Sequence, residues 1–434
     1  GQVHRDRNWV ITRTLEAYAH HYSMAWPHEE LESARPVRTS PLYGRLKDQG
    51  AVFGWKLGWE RPNWFAPPEM LKGGAEPKDV YTYGRQNWFP HVGAEHKAAR
   101  EAVVLIDQTS FAKFLMVGKD AEQALSWICA NDVAVKPGRL VYTQMLNARG
   151  GIECDLTVTR LTETAFLLVV PGATLQRDLA WLRRHLGDDL AVITDMSAAE
   201  AVIPVMGPLS RDLLSRVSPD DFSNEAHPFG LAREIEIGLG LARAHRISYV
   251  GELGWELYVS TEQAAHVLET LREAGADIGL RLCGLHAMDS CRIEKAYRHF
   301  GHDITDEDHV LEAGLGFAVK TAKGDFIGRD AVLRKRETGL TRRLLQFRLT
   351  DPEPLLFHNE PILRDGRIVG QITSGAYGHT LGGAIGMGYV PCQPGETPAE
   401  TLASTYQIEV AGRLVGAEAS LKPLYDPSGL RIAG

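Results

Sequence analysis

Residues 142–160 restrict the fold more than any other stretch. Asn147, Gly150 and Gly151 sit between two short runs, and glycine takes positive φ freely while asparagine takes it better than most residues. That is a turn, so the flanking runs read as paired strands. After it, Ile152, Cys154, Leu156 and Val158 alternate with Glu153, Asp155, Thr157 and Thr159, which puts the apolar set on one face and Asp155 among hydroxyls on the other. On pattern alone Asp155 reads as solvated surface or as a functional acid, and the pattern leaves both open.

The chain has 434 residues, long enough for two to four domains with their own cores. Its net charge of -8 argues against nucleic acid or an anionic membrane as the main partner. No apolar run approaches the roughly 20 residues of a membrane helix, and the polar start (Gly1 to Arg7) gives no secretory leader. Five scattered cysteines form no CxxC pair, so a reducing compartment and a cytoplasmic location are expected. The histidines show no metal-ligand spacing, and His299, His302 and His309 fall in a loop-rich stretch; no metal site is expected. Neither GxGxxG after a strand nor GxxxxGK[ST] occurs, so no nucleotide site is expected within this chain.

In order, residues 9–24 read as a helix and residues 26–36 as a proline-broken loop. Trp55, Trp59 and Trp64 fall in a stretch with little periodicity, which reads either as core filler or as a docking surface for another domain. Residues 72–78 read as an exposed loop. From Phe89 onward strands and amphipathic helices alternate, and Val117-Gly118 before one helix echoes Met206-Gly207 before another, as in two similarly built α+β units. Expected strands include Leu241 to Val250 and Leu315 to Lys320. Glu256 is a second acid on a strand just past a turn. Arg292 and Lys295 read as a solvated basic face. Beyond about residue 340, short strands separated by Pro, Gly and Asp365-Gly366 read as a small all-β unit.

Several motifs together resemble the glycine-cleavage T-protein (aminomethyltransferase) family from about Ala94 to Ser420. They are the 142–160 hairpin, Tyr249-Val250-Gly251-Glu252-Leu253-Gly254-Trp255-Glu256, Glu312-Ala313-Gly314-Leu315, Asp325-Phe326-Ile327-Gly328 and Thr373-Ser374-Gly375. Upstream, Glu32-Ser33-Ala34-Arg35-Pro36, Ser40-Pro41-Leu42-Tyr43 and Gly58-Trp59-Glu60-Arg61-Pro62 resemble the connector of the long sarcosine and dimethylglycine dehydrogenases and oxidases. The resemblance implies an α+β, T-protein-like three-subdomain cloverleaf: two α+β folate-binding units and a C-terminal all-β barrel, preceded by a short helical and loop connector domain. The expected divisions are 1–88, 89–338 (units of about 89–190 and 191–338) and 339–434.

The same resemblance implies a function. In those enzymes an FAD-binding half oxidises an N-methyl amine, and a tetrahydrofolate-binding half captures the resulting iminium carbon as 5,10-methylenetetrahydrofolate. This chain is similar to the second half, so tetrahydrofolate is its expected cofactor, with FAD in the other half or a partner subunit. A mitochondrial matrix location is implied if the source is eukaryotic. Asp155 matches the acid facing the folate N5/N10 edge, and Glu256 the carboxylate that reads the pterin. Tyr142 and Tyr249 match pocket tyrosines, and Val169 and Phe317 fall where apolar pocket residues lie. The chain departs from the family at Ala287-Met288-Asp289-Ser290, where many T-proteins carry an arginine in place of Met288. A stand-alone folate-dependent demethylase or T-protein, and a non-catalytic folate-binding regulator, are the alternatives.

Overall fold

The computed structural model describes residues 6–74, 76–393 and 395–434, so most of the polar N-terminal stretch and Ala75 of the expected loop lie outside the described residues. The hairpin forms as its pattern requires. Strands Leu140–Leu146 and Ile152–Arg160 pair antiparallel, with Gly150 at φ +81° in the turn. Gln144 lies opposite Asp155 and Tyr142 opposite Thr157, so all four project from one face. The opposite face carries Cys154, Leu156 and Val158 into a core shared with helices Ala121–Ile128 and Leu175–Leu186.

The hairpin is one edge of a five-stranded antiparallel sheet, continued by Ala165–Val170, Ala112–Val117 and Val192–Asp195. A second sheet has six strands in the order Ala232–Ile237, Gly240–His245, Gly254–Ser260, Glu200–Met206, Val104–Ile106 and Arg281–Cys283. Helices Ser210–Val217 and Ala264–Ala274 cover its apolar side. The echoed Gly118 and Gly207 each end a strand leading to a helix, and each comes within van der Waals range of a backbone carbonyl that a Cβ would strike. The two units exchange a strand: Val104–Ile106 joins the six-stranded sheet and Val192–Asp195 the five-stranded one. A closed six-stranded barrel follows, from Arg342–Leu349 to Arg413–Ser420. The architecture is thus mixed α/β with a terminal β-barrel, as the resemblance implies.

Several local expectations are corrected. The tryptophan stretch is a β-hairpin, Ala51–Lys56 with Trp59–Phe65, whose bulge between Val52 and Phe53 breaks the strand period and hid it in the sequence. The expected strand over 315–320 is a 3₁₀ turn, Gly316–Ala318, and the expected strand over 241–250 stops at His245 before a loop. The first helix ends at Ala19, followed by a 3₁₀ turn to Tyr22. Among the described residues no helix is long and apolar enough to cross a membrane, and all five cysteines are free and buried.

Candidate functional site

On the inner face of the five-stranded sheet the Asp155 carboxylate is held from its own hairpin. Gln144, its cross-strand partner, donates from Nε2 to Oδ1 at 2.8 Å, and the diagonal Tyr142 hydroxyl is also a hydrogen-bond partner. Glu153, Asp155 and Thr157 are only half-buried, while Gln144 is fully buried and its Oε1 has no partner among the described residues. Burial dominates Asp155 and pushes its carboxyl up to about 6, against the pull of Gln144, Tyr142 and Arg298. Asp155 thus keeps some solvent-accessible surface while protein surrounds its carboxylate closely enough to desolvate it. The solvated-surface alternative for Asp155 does not describe it.

Two further elements close around that acid. The Tyr249 hydroxyl donates to the Arg298 backbone carbonyl at 2.9 Å, its ring stacks on Tyr297, and it lies within electrostatic reach of Asp155. Arg298 is aimed by donating to the Ala313 and Ala296 carbonyls. The adjoining Gly314 has φ +71°, and a Cβ there would press on the Arg298 Nη2, so the Glu-Ala-Gly-Leu motif needs glycine to leave room for this cation. Tyr142 stacks on Phe317 with centroids 6.1 Å apart. Phe317 itself is 66% exposed, so it is not an enclosed pocket residue; the 3₁₀ turn that replaces the expected strand projects it outward.

Glu256 is on the other sheet. Strand Gly254–Ser260 is central there, paired to Glu200–Met206 and Gly240–His245. Glu256 accepts from the Tyr258 hydroxyl at 2.8 Å, and burial pushes its carboxyl up to about 7 although it too is only half-buried. Tyr258 packs with Val202 and Leu167, and Val169 lies against the same cluster. Val169 is cross-strand from Thr157, next to Asp155 on the inner face. Asp155, Tyr142 and Tyr249 thus form one interacting group, and Glu256 a second one, joined to it across the sheets by Val169 and Tyr258.

Arg292 corrects the solvated-face expectation. It is 1% exposed, with Nε donating to Asp289 at 2.6 Å and Nη1 to Asp303 at 2.9 Å. Helix Leu285–Glu294 is buried on most sides, so spacing along it says nothing of a solvent face. Lys295 is likewise buried against Asp426. At the family's arginine position, Gln108 Nε2 contacts the Met288 sulfur at 3.0 Å. Local sequence pattern assigns no site role to Gln144, Tyr258, Arg298 or Asp289. Gln144 was recoverable by counting back across the turn from Asp155; the others come from loops and helices that no short-range pattern ties to the acids.

The donor set suits a reduced pterin. It offers two carboxylates with no cationic side chain bonded to them for ring N–H groups, an orphan acceptor on Gln144 and an aromatic pair, Tyr142 and Phe317. Among the described residues no group of three or more His, Cys, Asp or Glu could hold a metal.

Comparison with known proteins agrees with the fold. The GCVT N-terminal domain matches residues 42–323, the glycine cleavage T-protein C-terminal barrel domain residues 342–426, and the FAD dependent oxidoreductase central domain residues 1–40. The chain is 44% identical over 430 residues to a 4-methylaminobutanoate oxidase (formaldehyde-forming) of Paenarthrobacter nicotinovorans, covering 99% of this chain and 51% of that protein. It is 36% identical to human mitochondrial sarcosine dehydrogenase, over 98% of this chain and 50% of that protein. The crystal structure of the glycine cleavage system aminomethyltransferase T from Bartonella henselae superposes with a TM-score of 0.75 at 25% identity, covering 90% of this chain and 99% of that one. The chain spans about half the length of the curated relatives it matches first.

Proposed function

The chain belongs to the glycine cleavage T-protein family, an enzyme family, and on that premise we propose that it transfers the one-carbon unit of an oxidised N-methyl amine to tetrahydrofolate. The observation that carries this reading is the pair of desolvated yet accessible carboxylates, Asp155 and Glu256, on facing sheets. When bound, reduced folate supplies two nitrogens, N5 and N10, between which the carbon is carried. Glu256, fixed by Tyr258, accepts N–H bonds from the pterin and sets its orientation, a contact of about 1.5–3 kcal/mol. Asp155, fixed by Gln144 and Tyr142, holds negative charge beside the cationic donor and moves a proton at its carboxylate. The overall change balances as an iminium, CH2=NHR⁺, plus tetrahydrofolate giving 5,10-methylenetetrahydrofolate and RNH3⁺. Tyr142, Tyr249 and Val169 wall the pocket, and Phe317 caps its rim.

Oxidation of the amine requires a flavin. The similarity of residues 1–40 to an FAD dependent oxidoreductase domain supports a flavoprotein half, in cis or as a subunit, as the partner. The divisions 1–88, 89–338 and 339–434 remain our proposed domains, and the cytoplasm, or the mitochondrial matrix, our proposed location. The amine is a sarcosine, dimethylglycine or related N-methyl compound. The formaldehyde-forming activity in the name of the Paenarthrobacter relative favours a second reading, in which water takes the carbon. Supplying the flavoprotein half, amine and tetrahydrofolate separates the two: 5,10-methylenetetrahydrofolate at the expense of formaldehyde supports the first, and formaldehyde unchanged by folate supports the second.

A further inference from the structure

On the other side of Tyr249 from Asp155 lies a third carboxylate that the proposed chemistry does not use. Asp289 Oδ1 accepts from Arg292, while Oδ2 accepts no hydrogen bond among the described residues, and the side chain is 35% exposed. It is within electrostatic reach of Tyr249, His299 and His28. His28 comes from the N-terminal loop, where φ is +64°, and is wedged against Trp88, His286 and Phe357 with centroids 5.3–6.2 Å away. The His286 ring stacks on Trp88, and its buried Nε2 has no partner. Burial lowers all three imidazoles, His286 and His299 to about 3, which favours their neutral forms beside the acid.

The charge count is therefore unbalanced. Arg292 faces both Asp289 and Asp303, and Arg298 is within electrostatic reach of Asp155, so in this group three carboxylates meet two guanidiniums. Of the other cations nearby, Arg342 pairs with Asp308 and Glu312, and Arg61 and Lys56 both lie within electrostatic reach of Glu30. One net negative charge in a desolvated, accessible site favours a cationic ligand.

We propose that Asp289, between His28 and His299, is a subsite for a small organic ammonium or iminium cation, placing the one-carbon donor beside the folate-binding face. This rests on the function proposed above, and it gives the N-terminal segment a role in forming the site. Flat neutral imidazoles supply apolar walls that admit the alkyl groups without competing for the charge.

Saturation-transfer NMR with dimethylammonium, which has the C–N–C skeleton of the smallest N-methyl iminium, tests this on the full chain, with tetrahydrofolate binding titrated on the same samples. Transfer to the methyl protons is expected in the wild type, at least a tenfold weaker effect in Asp289→Asn, a severalfold weaker one in His28→Phe, and none for neutral 2-propanol. Equal transfer in Asp289→Asn, or from 2-propanol, overturns the proposal. If Asp289→Asn does not fold, His28→Phe and the cation-to-neutral contrast in the wild type decide. Loss of tetrahydrofolate binding with Asp289-dependent transfer intact would refute the folate reading alone.

Discussion

Behind helix Leu285–Glu294, His96, Arg100, Glu252 and Glu294 are sealed from water and bonded to one another; across the two sheets, Asp155 and Glu256 are just as strongly desolvated but have no cationic side chain bonded to them. In the sealed group, Glu294 takes His96 at 3.3 Å and Arg100 at 2.9 Å, and Glu252 takes Arg100 at 3.1 Å and Arg431 at 2.9 Å. Burial alone would neutralise these groups. For Glu294 the partners win and hold the carboxyl down at about 2, and for His96 the Cys291 sulfur and Glu294 raise the imidazole to about 9. In the open group burial wins, and both acids rise toward neutrality. Cys291, His96 and Glu294 have the order of a nucleophile, base and orienting acid, with sulfur 3.4 Å from Nδ1, but none has surface to meet a substrate. Residue types do not separate a structural network from a working site; access and pairing do.

The largest effect expected is on the sealed side. Arg100→Met takes the shared cation from two buried carboxylates, leaving Glu294 only His96 and Glu252 only Arg431, and should cost about 3–5 kcal/mol by chemical denaturation, with activity falling only as the folded fraction does. Glu256→Gln replaces one carboxylate oxygen with an NH2 donor and removes the charge at the pterin edge, and should weaken tetrahydrofolate binding roughly 10–100-fold in a titration, with stability unchanged or higher. A variant that binds normally would move Glu256 out of the pocket.

Proton linkage gives a third, smaller test. The folded-state Asp155 carboxyl, at about 6, lies above its ordinary value of 3.8, so the folded chain holds this proton more tightly than the unfolded one. The stability this gives is complete below the ordinary value and is lost as pH rises to about 6. Transfer should rise as the folded-state anion forms around pH 6, where that stability has been lost, so activity and stability trade against each other. Asp155→Asn should abolish both slopes and gain about 1–2 kcal/mol at pH 7.5, after allowance for water at its accessible surface. The smallest effect belongs to Phe317→Ala: its exposed ring should change stability by under about 0.5 kcal/mol and folate affinity by about threefold.

Period and turn chemistry made much of the fold readable. The hairpin around Asp155, the strand–glycine–helix echo and the barrel's short strands all follow from local pattern. What stayed hidden was set by distant contacts. The bulge at Val52 broke the period of the tryptophan hairpin, and the burial of Arg292 depends on Asp303 and the barrel's Ser374 rather than on its helix. At the site, Asp155 and Glu256 were visible through family motifs, and Gln144 through register. Phe317 shared the motif-bearing region but faces outward, because the backbone there turns instead of extending.

The most direct measurement is single-turnover transfer by Asp155→Asn beside its tetrahydrofolate affinity, with the flavoprotein half and an N-methyl amine supplied. A positioned acid of this kind contributes about 10²–10⁴-fold. The expected result is a loss of 5,10-methylenetetrahydrofolate formation of that order, with folate affinity within a few-fold of wild type and the fold at least as stable. Undiminished product formation, or a loss explained wholly by weaker folate binding, would contradict the account.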